Sequence, residues 1–155
     1  MKALVYTKPN EMTYLEQPAP AAAAGEVLIR VEAVGICGSD MHAYHGRDPR
    51  RVPPLILGHE LAGEVLEGPS ALAGKRVTVN PLITCGHCEY CVQGRNNLCA
   101  NRTMIGMTRA GGFADYVTTA AASVIEIPDD MSARAAALTV PRNSSRYPRS
   151  SRKRL

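Results

Sequence analysis

No segment of this 155-residue chain approaches the roughly 18 consecutive apolar residues of a helical membrane span, so no such span is expected. The first ten residues, MKALVYTKPN, carry no apolar h-region, so no secretory signal peptide is expected either. A soluble, cytoplasmic protein is the default that these two absences leave. No internal repeat is present, which sets aside solenoids and propellers. No G-x-G-x-x-G occurs: the nearest glycine pair, Gly111-Gly112, precedes a strand and does not open a helix. Tryptophan is absent and aromatics make up 5% of the chain, while apolar residues at 45% suffice for one domain with a real core.

Acidic residues are missing from one region only. Residues 141–155, PRNSSRYPRSSRKRL, hold six Lys/Arg and no Asp or Glu. The formal charge of +4 therefore misdescribes the body, which has 12 basic against 14 acidic residues without that tail. The tail has no periodicity and too little apolar surface to order itself, so it is expected to be disordered. Basic tails can bind nucleic acid through phosphates alone, but they are more often solvated ends, and nucleic acid is not an expected partner.

What is present is a cysteine cluster. Cys85, Cys88, Cys91 and Cys99 read C-x2-C-x2-C-x7-C within PLITCGHCEYCVQGRNNLCANR. Zinc takes four ligands in a tetrahedron, and short cysteine spacings let one loop fold around one ion. The loop has no helical or strand periodicity and no core of its own, so it needs something to hold it. The bland alternatives are buried thiols or two disulfides, and reduced intracellular thiols at such spacing favour metal. Such a site is closed, with every ligand a thiolate. It marks architecture, and chemistry must be sought elsewhere.

Along the chain, Lys2–Thr7 alternates as a strand, and Ala19–Gly25 is a small-residue connector. Glu26–Val34 is a strand with Val27, Ile29, Val31 and Ala33 on one face. Ser39 and Asp40 can cap a short helical turn, SDMHAYH. Leu61–Glu67 is a strand in which Gly63 suggests a close backbone approach. Arg76–Val79, Phe113–Thr118 and Val124–Ile127 are further strands, and Ser132 caps a helix, MSARAAAL. Short strands with Gly/Pro punctuation argue for a mostly-β barrel or sandwich. The fifth cysteine, Cys37, lies in GICGSDMH, and His59 and Glu60 follow in GHE. Cysteine, histidine and carboxylate form a ligand set for a catalytic zinc, although a lone Cys at a strand end is usually core and a lone His usually hydrogen-bonded.

Taken together, GICGSDMH (35–42), GHELAGEV (58–65), GKRVTVNP (74–81), the four-cysteine loop (85–99) and GGFADYV (111–117) resemble the amino-terminal catalytic domain of the zinc-dependent medium-chain alcohol dehydrogenases. The motifs stand in the family's order, and the loop style resembles the polyol (sorbitol-like) and threonine dehydrogenase branch. The resemblance implies a GroES-like β-barrel over residues 1–140, with a zinc lobe at 81–106 and short helices. It implies Cys37, His59 and Glu60 at a catalytic zinc, the four clustered cysteines at a structural zinc, and thus two zinc ions per chain. It also implies that Asp40 orients His59, that Ser39 takes the alcohol proton and that His42 passes it outward. His45 and His87 receive no role. The implied activity is oxidation of a secondary alcohol or polyol to a ketone, with hydride passed to NAD(P).

Two features depart from the family. The Rossmann domain that binds NAD(P) in relatives is not encoded in these residues, so little turnover is expected from them alone. Val140 stands where the branch carries a Glu, and an Arg/Ser/Pro tail begins at once. That switch suggests a frameshift or truncated gene, with an acquired tail as the alternative. The competing functional reading is an orphan zinc-stabilised module that binds a partner protein. A bared interdomain face would also favour homo-oligomers.

Overall fold

The structure, a computed structural model, describes residues 1–139. Val140 and the expected disordered tail lie outside the described residues. The chain opens with Lys2–Lys8 (β1) and Glu11–Glu16 (β2), an antiparallel hairpin. β2 is not legible in the sequence because none of its six residues is buried, so it shows no apolar alternation. Then come Glu26–Gly35 (β3), the helix Gly38–Tyr44 (α1), Leu55–Ile56 (β4) and Glu60–Glu67 (β5). Arg76–Val79 (β6) leads to Leu82–Ile83 (β7), the one-turn helix Glu89–Val92 (α2) and Thr103–Met104 (β8). Tyr116–Ala120 (β9), Val124–Glu126 (β10) and the helix Ala133–Leu138 (α3) complete the described chain.

Five strands form one antiparallel sheet in the order β10-β6-β5-β3-β9, and it curls as a half-barrel. A second sheet, β2-β1-β4, is joined to it through the bridge between Ala3 and Ala114. The mostly-β expectation is met. The core is aliphatic: Val27, Ile29, Leu61, Val65, Val77, Val79, Ile105 and Val117 pack as one buried cluster. Each such side chain contributes roughly 1.5–3 kcal/mol when fully buried, and one aromatic, Tyr6, is buried in a separate small cluster with Ala43 and Leu57. Irregularities in the β3–β5 register fall between Leu28 and Ile29 and between Val31 and Ala33. They explain why Leu28 is buried beside Ile29, and why the expected single apolar face of β3 is broken. α3 packs Ala136 and Ala137 against Ala62 and Ile127. Its cap is the expected one, Ser132 Oγ accepting the Ala135 N–H at 3.2 Å.

One strand is displaced from its expected place. The sequence suggests Phe113–Thr118, but β9 begins at Tyr116. The preceding backbone is used otherwise: Gly111, Gly112 and Phe113 donate to the carbonyls of Ile56, Gly58 and Leu57 at 2.8, 2.7 and 3.0 Å. These bonds clamp the segment that carries His59.

Gly63 makes the close approach its sequence context suggests. A Cβ there would lie 2.0 Å from the Arg30 carbonyl oxygen, within the paired β3–β5 backbone. Gly63→Ala is therefore expected to cost about 3 kcal/mol, at the upper end of overpacking penalties. The urea midpoint checks this, and an unchanged midpoint would show that β3 can move aside freely.

Candidate metal centres

The first centre is built by the loop between β7 and β8. These two strands pair, Leu82 with Met104 and Ile83 with Thr103, and close the base of the lobe. The sequence shows neither this pair nor α2, each being too short to leave a periodic trace. Cys85 leaves β7, Cys88 precedes α2, Cys91 lies in it, and Cys99 follows the tight turn Asn96–Leu98. The four Sγ atoms lie within 4.8 Å of one another. Cys85 Sγ is 3.9 Å from Cys91 Sγ and 3.7 Å from Cys99 Sγ. Four sulfurs at about 2.3 Å from one tetrahedral zinc would stand about 3.8 Å apart, so the residues fit the metal. All five cysteines are free, and these separations are far longer than a disulfide bond.

The electrostatics of the loop favour a thiolate at Cys85 and oppose one at Cys88. The backbone N–H groups of His87 and Cys88 point at Cys85 and lower its thiol to about 6. Cys88 has the Cys91 N–H pulling it down, but burial and the crowding thiols of Cys91, Cys85 and Cys99 push it up to about 11. Four thiolates cannot share so small a volume without a cation, and a divalent ion removes that conflict. His87 turns its Nδ1 to the Cys85 carbonyl at 2.8 Å, in keeping with its lack of a ligand role.

The second centre forms where β3 ends and β5 begins. The last residue of β3, Gly35, pairs with Glu60, the first of β5, which sets Cys37 against His59. Donor atoms of Cys37, His59 and Glu60 lie within 4.8 Å of one another. Gly58 makes the approach feasible: its φ is +86°, and a Cβ would lie 2.7 Å from the Phe113 ring. His59 is buried, and its Nδ1 faces Asp40 Oδ1 at 3.5 Å, neither atom having another partner. Nε2 is then the nitrogen left for a metal. Burial opposes the charged form of His59, but Asp40 and Cys37 outweigh it and raise its pKa. Burial likewise opposes the Cys37 thiolate, and contacts from Ser39 and His59 reverse this and lower its pKa.

The cap of α1 differs from expectation. Cys37, not Ser39, is the N-cap, and Asp40 Oδ2 accepts the Cys37 N–H at 3.0 Å. Ser39 sits inside the first turn. The physical reason is Asp40, which stands three residues after Cys37 and accepts its N–H, so the helix starts two residues sooner. Asp40 thereby meets the Cys37 backbone with one oxygen and the His59 ring with the other. His42 is exposed on α1, as is His45, whose Nδ1 meets Asn10 Oδ1 at 2.8 Å. A cavity of about 370 Å³ opens beside Asp40, with Ile36, Met41, Leu57 and Phe113 in its apolar wall.

The sequence reading missed Asp48 and Arg51. Both are buried, and they pair with each other. Arg51 donates from Nη2 to Ser39 Oγ at 3.3 Å and from Nε to the Gly106 carbonyl at 2.9 Å. Within GRDPRRV nothing separates Arg51 from Arg47 or Arg50. Only the fold shows which arginine points inward.

A half-barrel thus carries a four-cysteine lobe and a separate Cys-His-Glu cluster. The alcohol dehydrogenase GroES-like domain model matches residues 23–129, and the chain belongs to that family. It is 41% identical over 149 residues to L-threonine 3-dehydrogenase of Chelativorans sp. (strain BNC1), covering 91% of this chain and 43% of that protein. A crystal structure of an alcohol dehydrogenase (RspB) from E. coli CFT073 with NADH superposes with a TM-score of 0.81 at 37% identity. That match covers 89% of this chain and 41% of the other. A zinc-binding dehydrogenase from Sinorhizobium meliloti 1021 bound to NADP gives a TM-score of 0.79 at 39% identity, covering 88% and 41%. The chain thus spans less than half the length of these relatives. Among the described residues no helix is long and apolar enough to cross a membrane.

Proposed function

We propose that this domain is the zinc-binding catalytic half of an NAD(P)-dependent alcohol or polyol dehydrogenase that oxidises a secondary alcohol to a ketone. The observation that carries this reading is the convergence of Cys37, His59 and Glu60, with Asp40 buried behind His59. In this reading, Cys37, His59 and Glu60 hold one zinc, and Cys85, Cys88, Cys91 and Cys99 hold another. Held by these three side chains, a zinc ion would supply the Lewis acidity that makes an alcohol hydroxyl acidic near neutral pH. Asp40 keeps His59 in the tautomer that presents Nε2. Ser39 Oγ accepts the substrate proton, and the exposed His42 passes it to solvent. NAD(P) binding belongs to relatives that are more than twice as long, so these 155 residues alone are expected to turn over alcohols barely, if at all.

The experiment is a metal count on purified chain by mass spectrometry. Two zinc ions per chain are expected. A count of one, kept by the cysteine lobe, would instead favour a zinc-stabilised module that binds a partner. The exposure of Ile36 and Met41 beside the site is the observation that suits this second reading, and it would equally suit self-association.

A further inference from the structure

We propose that Arg51 is a positioning residue: it holds Ser39 Oγ as a hydrogen-bond acceptor and ties the Ser39 turn to the strand leaving the cysteine lobe. The inference rests on reading Cys37, His59 and Glu60 as a metal site.

Arg51 is 3% exposed, and its guanidinium spends its donors on three different parts of the chain. Nη1 pairs with Asp48, Nε bonds the Gly106 carbonyl, and Nη2 reaches Ser39 Oγ. Asp48 is itself fixed by Arg50, through Nε to Oδ1 at 2.9 Å and Nη2 to Oδ2 at 3.0 Å. The planar fork is thus held in a single orientation. Gly106 follows β8, and its Cα is packed so closely on Gly58 that a Cβ would lie 3.1 Å from the Gly58 nitrogen. One side chain therefore links the exit of the four-cysteine lobe, the backbone beside His59 and the hydroxyl two residues after Cys37.

The consequence for Ser39 follows from counting. A serine hydroxyl has one proton to donate and two lone pairs, whereas guanidinium only donates. Arg51 occupies one lone pair and cannot take the proton. What remains is one lone pair and one O–H that Arg51 does not occupy. A group that accepts a proton from substrate and hands on its own needs one lone pair and one O–H. Lysine at this position could reach Asp48 or Ser39, but its point charge cannot span Asp48, Gly106 and Ser39 together.

Cobalt(II) titration of the full chain tests this, because the four-thiolate and single-thiolate sites give charge-transfer bands of different intensity. Arg51→Met is expected to weaken cobalt binding at the single-thiolate site about tenfold and leave the four-thiolate band unchanged. In the Ser39→Ala background the same substitution is expected to cost less than about twofold, the non-additivity that marks action through Ser39. An equal loss in both backgrounds, or no loss with Ser39 present, overturns the inference. Should Arg51→Met lack the four-thiolate band because it misfolds, Arg51→Lys carries the same cycle with the same criterion. Parent chain binding only one cobalt overturns the metal-site reading and this inference with it; two bound cobalts unaffected by Arg51 overturn the inference alone.

Discussion

Stripping the metal from the four-cysteine lobe is expected to unfold its loop, residues 84–102, while the five-stranded sheet stays folded. The lobe has almost nothing else to hold it. Its regular structure is one helical turn, one tight turn and a two-residue strand pair. Two of its apolar side chains, Val92 at 71% and Leu98 at 39%, are exposed, while the buried side chains of its loop are Cys91 and Cys99. A structural zinc in a small peptide supplies roughly 10–16 kcal/mol, and no hydrophobic cluster in this loop approaches that. Ile105 is the point where the lobe joins the barrel core, so unfolding should stop there. With a strong chelator, amides of residues 85–99 are expected to exchange at least about a thousandfold faster, with those of β3 and β5 unchanged. Trypsin should then cut at Arg95 and Arg102. Cys99→Ser should behave as chelation does, and mild acid should act in the same direction, because each proton taken by a thiolate is a ligand lost. Unaltered exchange in the loop after verified metal removal would show that the lobe stands without an ion.

How much of this was legible in the sequence depends on whether a residue's role lies in its local pattern. The cysteine lobe was legible because all four cysteines fall within fifteen residues, so spacing alone brings them together. The strands β3, β5 and β6 were legible because each is a short run rich in apolar and β-branched residues, although their burial does not alternate strictly. Cys37, His59 and Glu60 needed more, since their union depends on the β3–β5 register, and no spacing rule encodes a register. Whole motifs in family order made that site an expectation where isolated residues could not. β2 escaped notice because neither of its faces is buried. Arg51 escaped because an arginine in a basic, proline-containing loop reads as solvated, and its burial is decided by Gly106, 55 residues away. The start of β9 was misplaced for a related reason. Phe113 belongs to the expected strand, but its N–H bonds the Leu57 carbonyl and its carbonyl accepts from Leu4 of β1, so regular pairing with β3 begins only at Tyr116.

His59→Ala is expected to lower the metal count from two to one without disturbing the cysteine lobe, and Asp40→Asn to weaken the same site about 10–100-fold. The second substitution is the more telling because it preserves shape. Asp40 Oδ2 accepts the Cys37 N–H, so an asparagine must keep its oxygen there and turn its NH2 toward His59 Nδ1. That amide favours a proton-free Nδ1 and hence a proton on Nε2, which is the tautomer that cannot bind metal. The metal-free chain offers a check of opposite sign. Burial works against charging His59, but Asp40 and Cys37 prevail and raise its pKa above 6.5. A raised histidine contributes stability that is complete below the unfolded value and is lost as pH rises through the folded value. Chelated parent chain should therefore lose part of its urea resistance as pH rises from acid through neutrality, and Asp40→Asn should lose less. Zinc reverses the dependence at this site, since it binds the neutral ring and competes with the proton. A parent chain whose metal-free stability follows the Asp40→Asn chain across that range would show that Asp40 and His59 are neighbours without coupling. The tautomer argument would then fail together with the expected loss of affinity.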